Sequence, residues 1–195
     1  MTRPLALLLT LLLPTLAWGG LDNAEPTRLR SVQAEFTQVK HLKILARPLI
    51  SQGTLAFQAP QSLRWEYLRP LHTVTLMHEG RLQKLIERDG RFEPDHGAGV
   101  NAMGIVLQDI GSWLDGRFSD NPLFAVSRTG EQTVVLSPKD PNLEAVIKRI
   151  ELHLGAREGV VDQVTIVEGD EATTELTFSR VVLNQDIAVQ RFTAP

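Results

Sequence analysis

SQGTLAFQAPQSLRWEYLRP, residues 51–70, alternates apolar and polar side chains twice over, with a proline after each run. Leu55 and Phe57 share one parity, and Leu63, Trp65 and Tyr67 share another, with Arg64 and Glu66 between them. Alternation with a period of two describes half-buried strands, and the short Ala59-Pro60-Gln61 break suits a hairpin turn. The stretch therefore predicts two adjacent antiparallel strands with large apolar groups on one face. That face must be covered, and what covers it decides what the molecule can do.

The same period continues outward. Strands are expected near residues 50–58, 62–68, 72–79 and 81–88, joined at Ala59-Pro60-Gln61, Arg69-Pro70 and Glu79-Gly80. Short turns at regular spacing make an antiparallel meander. Residues 89–100 (DGRFEPDHGAGV) read as a loop with room for a short strand. Upstream, Leu29, Val32, Phe36 and Val39 recur at spacings of three and four. With Asn23 to Pro26 as a start signal and Lys40, His41 and Lys43 near the end, they predict an amphipathic helix that stops before Pro48. Downstream, Met103, Val106, Leu107, Ile110, Leu114 and Phe118 trace a second helical stripe, framed by Asn101 and Gly116. Strands near 123–128, 132–138, 147–154, 160–168 and 173–183 complete the layout. So wide a sheet curls, and two helices suffice to cover one concave face.

The bulk properties fit one globular domain: 195 residues, 43% hydrophobic and 22% charged, with no internal repeat. A net charge of −3 argues against a general nucleic-acid binder. Residues 1–19 carry Arg3, an apolar run from Leu5 to Leu13, a break at Pro14, and small residues at Ala17 and Gly19. This pattern predicts a secretory signal peptide cleaved after Gly19, with residues 20–195 as a single domain. The run is shorter than the ~20 residues of a membrane helix. The chain has no cysteine, so it holds together without disulfides and lacks the residue that N-terminal lipidation requires. The expected product is a soluble monomer outside the cytoplasm.

No catalytic, metal-binding or cofactor-binding constellation emerges. His72 and His78 share a parity but lie about 20 Å apart along a strand at roughly 3.3 Å per residue, too far to share a metal. His41, His96 and His153 are isolated, and Glu93 and Asp95 read as solvated loop carboxylates. Gly111-Ser112-Trp113 falls inside the expected helix and lacks the spacing of a nucleophile elbow. Gly97-Ala98-Gly99 is not followed by the Lys-Ser/Thr of a phosphate loop. Trp65, Tyr67 and Trp113 could stack on bases or sugars, but in an acidic chain they fit a core or pocket wall better.

Beyond these local readings, the order of motifs resembles the periplasmic lipoprotein-carrier family, LolA. Its carriers in this chain are Phe36-Thr37-Gln38, then Pro48-Leu49-Ile50-Ser51-Gln52-Gly53-Thr54-Leu55, Pro60, Leu63-Arg64-Trp65-Glu66-Tyr67, Pro70 and Glu79-Gly80. Leu136 with Pro138, Ile166-Val167-Glu168, Thr174, Leu176, Phe178, Asn184, Ile187 and Phe192-Thr193 continue it through the second half. The chain differs at Ala59, where the better-known carriers have a basic latch residue, and at Leu63, where they have an aromatic.

The resemblance implies a mainly β, α+β fold: an unclosed antiparallel half-barrel whose concave apolar face is covered by amphipathic helices. It implies a carrier that shields the acyl chains of a lipoprotein, glycolipid or other lipid between an inner-membrane release complex and an outer-membrane acceptor. On that reading Phe36, Leu55, Phe57, Leu63, Trp65, Tyr67, Val74 and Leu76 line the cavity, with Phe36 closing its near end. Met103, Val106, Leu107, Ile110 and Leu114 form the lid. No cofactor is implied. A sensor or adaptor that binds a protein partner on the same scaffold is the rival reading, and a hydrolase is a more distant third.

Overall fold

The computed structural model describes residues 29–95, 121–156, 160–169 and 172–195. Six strands come first: β1 (Ser31–Leu42), β2 (Leu49–Gln58), β3 (Ser62–Arg69), β4 (Thr73–His78), β5 (Arg81–Arg88) and β6 (Arg91–Pro94). Five follow after residue 120: β7 (Phe124–Thr129), β8 (Thr133–Pro138), β9 (Arg149–Leu154), β10 (Val161–Glu168) and β11 (Ala172–Leu183). Two one-turn helices, α1 (Pro141–Glu144) and α2 (Gln190–Thr193), complete the described elements.

All the strands belong to one antiparallel sheet in the order β6-β5-β4-β3-β2-β1-β11-β10-β9-β8-β7. Each half is a meander, and the two are stitched at the centre, where the first strand pairs with the last. Among the described residues β6 and β7 each have a single partner, so the sheet is not closed into a barrel. Side chains from β3 and from β8 and β9 nevertheless belong to one buried cluster. Strands lie about 4.8 Å apart, so they can share a core only because the sheet curls into a half-barrel.

The turns follow local chemistry. Glu79-Gly80 and Asp89-Gly90 are two-residue connections in which both residues have positive φ, the backbone that matches the twist of a hairpin and favours glycine second. Ala59-Pro60 and Arg69-Pro70, both cis, lie in the β2–β3 and β3–β4 connections. The β2–β5 strands lie within a residue or two of their sequence expectations, and the short strand for which residues 89–100 left room is β6, paired with β5.

One expected element is replaced. Residues 31–42 form the central strand, not the amphipathic helix predicted over Leu29, Val32, Phe36 and Val39. Val32 and Phe36 are four apart, a spacing that satisfies a helical face and a strand face alike. Ala34, 7% exposed, fills the missing even position, so the buried series is Val32, Ala34, Phe36. Pairing on both sides, from Lys40 opposite Leu49 to Ser31 opposite Gln58, and with β11 across the other edge, settles the choice. The second expected helix, over residues 101–117, lies outside the described residues, as do residues 1–28.

Candidate functional site

Strand alternation gives the sheet two chemically different faces, and β3 shows both. Leu63, Trp65 and Tyr67 point to the concave side, and Arg64 and Glu66 to the convex side. Directly opposed residues of antiparallel strands share a face, so the register extends each set. Across the concave face, Val32, Phe57, Leu63 and Met77 form one row. Ala34, Leu55, Trp65 and Thr75 form the next, then Phe36, Gly53, Tyr67 and Thr73. On the other half the apolar band steps along the strands, through Phe178 to Leu176, Val164, Leu152 and Val134, then Ile166, Ile150 and Leu136. This diagonal course is what a twisted sheet gives its core.

The centre of the band is aromatic. Phe36 stacks on Trp65 with centroids 4.3 Å apart and meets Tyr67 edge-on at 5.3 Å; Phe178 meets Trp65 edge-on at 6.4 Å. Gly53 makes the stack feasible. A Cβ at residue 53 would lie 2.5 Å from Phe36 Cζ and would also strike the Glu66 carbonyl oxygen. The Phe36 ring therefore lies over β2 through the gap left by a missing side chain. Phe36 is thus mid-floor, not at the near end as expected.

Polar groups border the band. The Tyr67 hydroxyl donates to Gln38 Oε1 at 2.7 Å, and burial pushes the phenol up to about 12, an effect the nearby Trp65 indole partly opposes. The Trp65 Nε1 itself is buried outside hydrogen-bond geometry with any acceptor. Beyond Gln38, Lys40 bonds Glu168 at 2.9 Å, and Thr174 donates to the same carboxylate at 2.6 Å. At the opposite end a void of about 10 Å³ lies among Val32, Ala34, Leu55, Val161, Phe178 and Leu183. That is room for one water at most.

Six of the eight residues expected to line a cavity do share the concave face: Phe36, Leu55, Phe57, Leu63, Trp65 and Tyr67. Val74 and Leu76 do not. Val74 is opposite Glu66 and Leu76 opposite Arg64, so both are buried on the convex side. Alternation within β4 reads correctly from the sequence, but its phase against β3 is set by the connection over residues 70–72. The β4 residues on the floor are Met77, Thr75 and Thr73. Met103, Val106, Leu107, Ile110 and Leu114, the expected lid, lie outside the described residues.

The convex face holds a chain of charges. Arg64 Nε donates to Glu66 at 2.8 Å, and its NH1 donates to the carbonyls of Ala194 at 2.6 Å and Arg191 at 3.3 Å. Glu66 also receives His72 Nε2 at 2.8 Å, and His72 Nδ1 reaches Glu87 at 2.5 Å. An imidazole between two carboxylates must donate from both nitrogens, so the geometry is that of the charged ring. The Glu66 and Glu87 bonds hold the His72 pKa above its ordinary value against a smaller opposing effect of burial. For Glu66 burial is the largest single influence and acts upward, but Arg64 and His72 together outweigh it and lower its pKa. Below this network α2 packs on β3 and β4, with Phe192 beside Ile187 and Ala56 and stacked on His78. The carbonyl clamp on the C-terminal turn has no signature in the sequence.

Among the described residues no three His, Asp or Glu side chains are arranged to hold a metal ion, and no helix is long and apolar enough to cross a membrane.

Neither a family profile nor a curated protein matches the chain by sequence. Solved structures do resemble its fold. A putative outer membrane lipoprotein-sorting protein domain from Vibrio parahaemolyticus is 10% identical over 84% of this chain and 89% of its own, with a TM-score of 0.42. A LolA superfamily protein from Nitrosomonas europaea is 7% identical over 85% and 91%, with a TM-score of 0.43. A chain of the Pseudomonas aeruginosa MucA/MucB complex is 16% identical over 86% of this chain and 56% of its own, with a TM-score of 0.41.

Proposed function

We propose that the chain is a periplasmic, non-catalytic carrier that shelters acyl chains of a lipoprotein or another lipid against the concave face of its sheet. The observation that carries this reading is the floor itself. An open sheet presents a continuous apolar band with an aromatic centre at Phe36, Trp65 and Tyr67, bordered by polar groups at Gln38 and Lys40. Each methylene exposed to water costs roughly 0.8 kcal/mol, so a sixteen-carbon chain costs on the order of 12 kcal/mol in transit. A strand of five or six residues spans ~17–20 Å, close to an extended acyl chain. In this reading residues 1–19 are removed on export, the segment over residues 101–117 is the lid, and cargo passes from an inner-membrane release complex to an outer-membrane acceptor.

The test is uptake of an environment-sensitive fatty-acid probe, combined with mass spectrometry of lipids extracted from the purified protein. Probe binding is expected in the wild type and should be lost in Met77→Glu, which sets a carboxylate on the floor where burial of an unpaired charge is costly. An adaptor that binds only a protein partner would have a filled interior. It would take up no probe and yield no lipid, and that result would overturn the carrier reading.

A further inference from the structure

The concave floor grades from apolar to polar along its strands. One row, Val32, Phe57, Leu63 and Met77, holds no side-chain N–H or O–H. The next, Ala34, Leu55, Trp65 and Thr75, adds an indole N–H and a hydroxyl. The third, Phe36, Gly53, Tyr67 and Thr73, adds two more hydroxyls, and Gln38 and Lys40 follow on β1. Trp65 stands at the step from hydrocarbon to polar groups.

The donor at that step is unmatched. Trp65 is 1% exposed, with the rings of Phe36, Tyr67 and Phe178 around it. Among the described residues its Nε1 has no acceptor in hydrogen-bond geometry. The Tyr67 hydroxyl is the neighbour to weigh. It feels the indole, which lowers its pKa against the larger upward push of burial, so Nε1 is turned toward the phenol. The phenol oxygen nevertheless lies outside hydrogen-bond geometry with Nε1, and its proton is donated to Gln38 at 2.7 Å. Buried indole N–H groups ordinarily have partners. One without a partner has already lost water, so an acceptor that arrives restores a bond at no further desolvation of the donor.

We infer that Trp65 Nε1 donates to the acyl carbonyl oxygen of the cargo, at the bond that joins its hydrocarbon chain to its head group. The ligand class is then an acyl lipid, not an alkyl ether lipid or a plain hydrocarbon. This inference deepens the carrier reading and rests on it. An acyl lipid has the same order as the floor: hydrocarbon, then a carbonyl, then polar groups. Its hydrocarbon meets the row of Val32, Phe57, Leu63 and Met77, its carbonyl meets Trp65, and its head group lies toward Gln38 and Lys40.

The test is displacement of the fatty-acid probe from the purified chain by 1-palmitoylglycerol and by 1-O-hexadecylglycerol. The two share chain length and head group and differ in the carbonyl. Wild type should bind the acyl lipid about fivefold more tightly, the scale of one net hydrogen bond. Trp65→Phe keeps an aromatic ring without the N–H, and it should bind the two equally, whatever it costs in affinity for both. A purely structural role for Trp65 would weaken both and keep the ratio. In the wild type the assigned Trp65 Nε1–H resonance should move downfield with the acyl lipid and not with the ether, a reading that stands even if Trp65→Phe does not fold. Equal binding of the two lipids by wild type, a ratio that survives Trp65→Phe, or an indole resonance that stays in place would overturn this inference alone. Wild type that binds neither lipid would overturn the carrier reading and this inference with it.

Discussion

Five consecutive residues of β3, Leu63 to Tyr67, serve two faces that are built differently. On the concave side Leu63 and Trp65 are each 1% exposed, and they are held by ring contacts and apolar burial. On the convex side Arg64 and Glu66 are nearly as enclosed, with side chains 11% and 13% exposed, but they are held by charge and directed hydrogen bonds. The apolar face draws on a non-directional effect that scales with area, so it can in principle re-form against a different apolar surface. The charged face depends on particular atoms at particular distances, and losing one partner strands the next. On the proposed carrier reading, this division would keep the sheet rigid while what covers its floor is exchanged.

The largest expected effect breaks the concave side. Phe36→Ala should cost about 4 kcal/mol, the range for removing a buried aromatic, measured by denaturant unfolding. Gly53→Ala should cost about 3 kcal/mol, because the new methyl overpacks against the Phe36 ring and the Glu66 carbonyl. Combined, the two should cost less than their sum, since one change vacates part of the space the other fills. Full additivity would mean that Gly53 is needed for the backbone approach alone.

On the convex side Arg64→Met should cost about 2–3 kcal/mol by leaving Glu66 short of a partner and the Arg191 and Ala194 carbonyls without their donor. Its signature is faster hydrogen exchange over residues 190–194, which Phe36→Ala should not share. Equal exchange in the two variants would erase the distinction between the faces.

A smaller effect depends on pH. His72 has a raised folded-state pKa, so its contribution is full below its ordinary 6.5 and is lost as pH rises through the raised value. Glu66 has a lowered one, so its contribution is full above its ordinary 4.5 and is lost as acid takes the pH down through the folded value. The His72 ring is partly open to solvent, so His72→Asn should cost less than about 1 kcal/mol at pH 6 and flatten the decline on the alkaline side. Unfolding midpoints measured from about pH 3 to about pH 9, a span that takes in both ordinary values, would reveal an unaltered profile if the network does not titrate as described. Least of all, Lys40→Met should cost roughly 0.5 kcal/mol, the scale of a part-exposed ion pair, in the same assay.

Much of this architecture was legible in the sequence. Period-two alternation in residues 51–70 and 72–88, with Pro60, Pro70 and Glu79-Gly80 as punctuation, specifies β2 to β5 because side-chain direction and turn backbone are local properties. Leu55, Phe57, Leu63, Trp65 and Tyr67 could be assigned to one apolar face for the same reason, with the hairpin turn fixing β2 against β3.

Tertiary structure decided the rest. The Val32–Phe36 spacing fits both periods, and only partners on two edges made it a strand. The phase of Val74 and Leu76 came from the connection after Arg69, which follows a shift in the β2–β3 register between Gln52 and Gly53; a one-residue difference there moves every side chain of the strand to the other face. The Arg64 clamp joins residues 127 and 130 positions apart. No local pattern encodes such a contact, because it exists only once the folded sheet has brought β3 and residues 191–194 together.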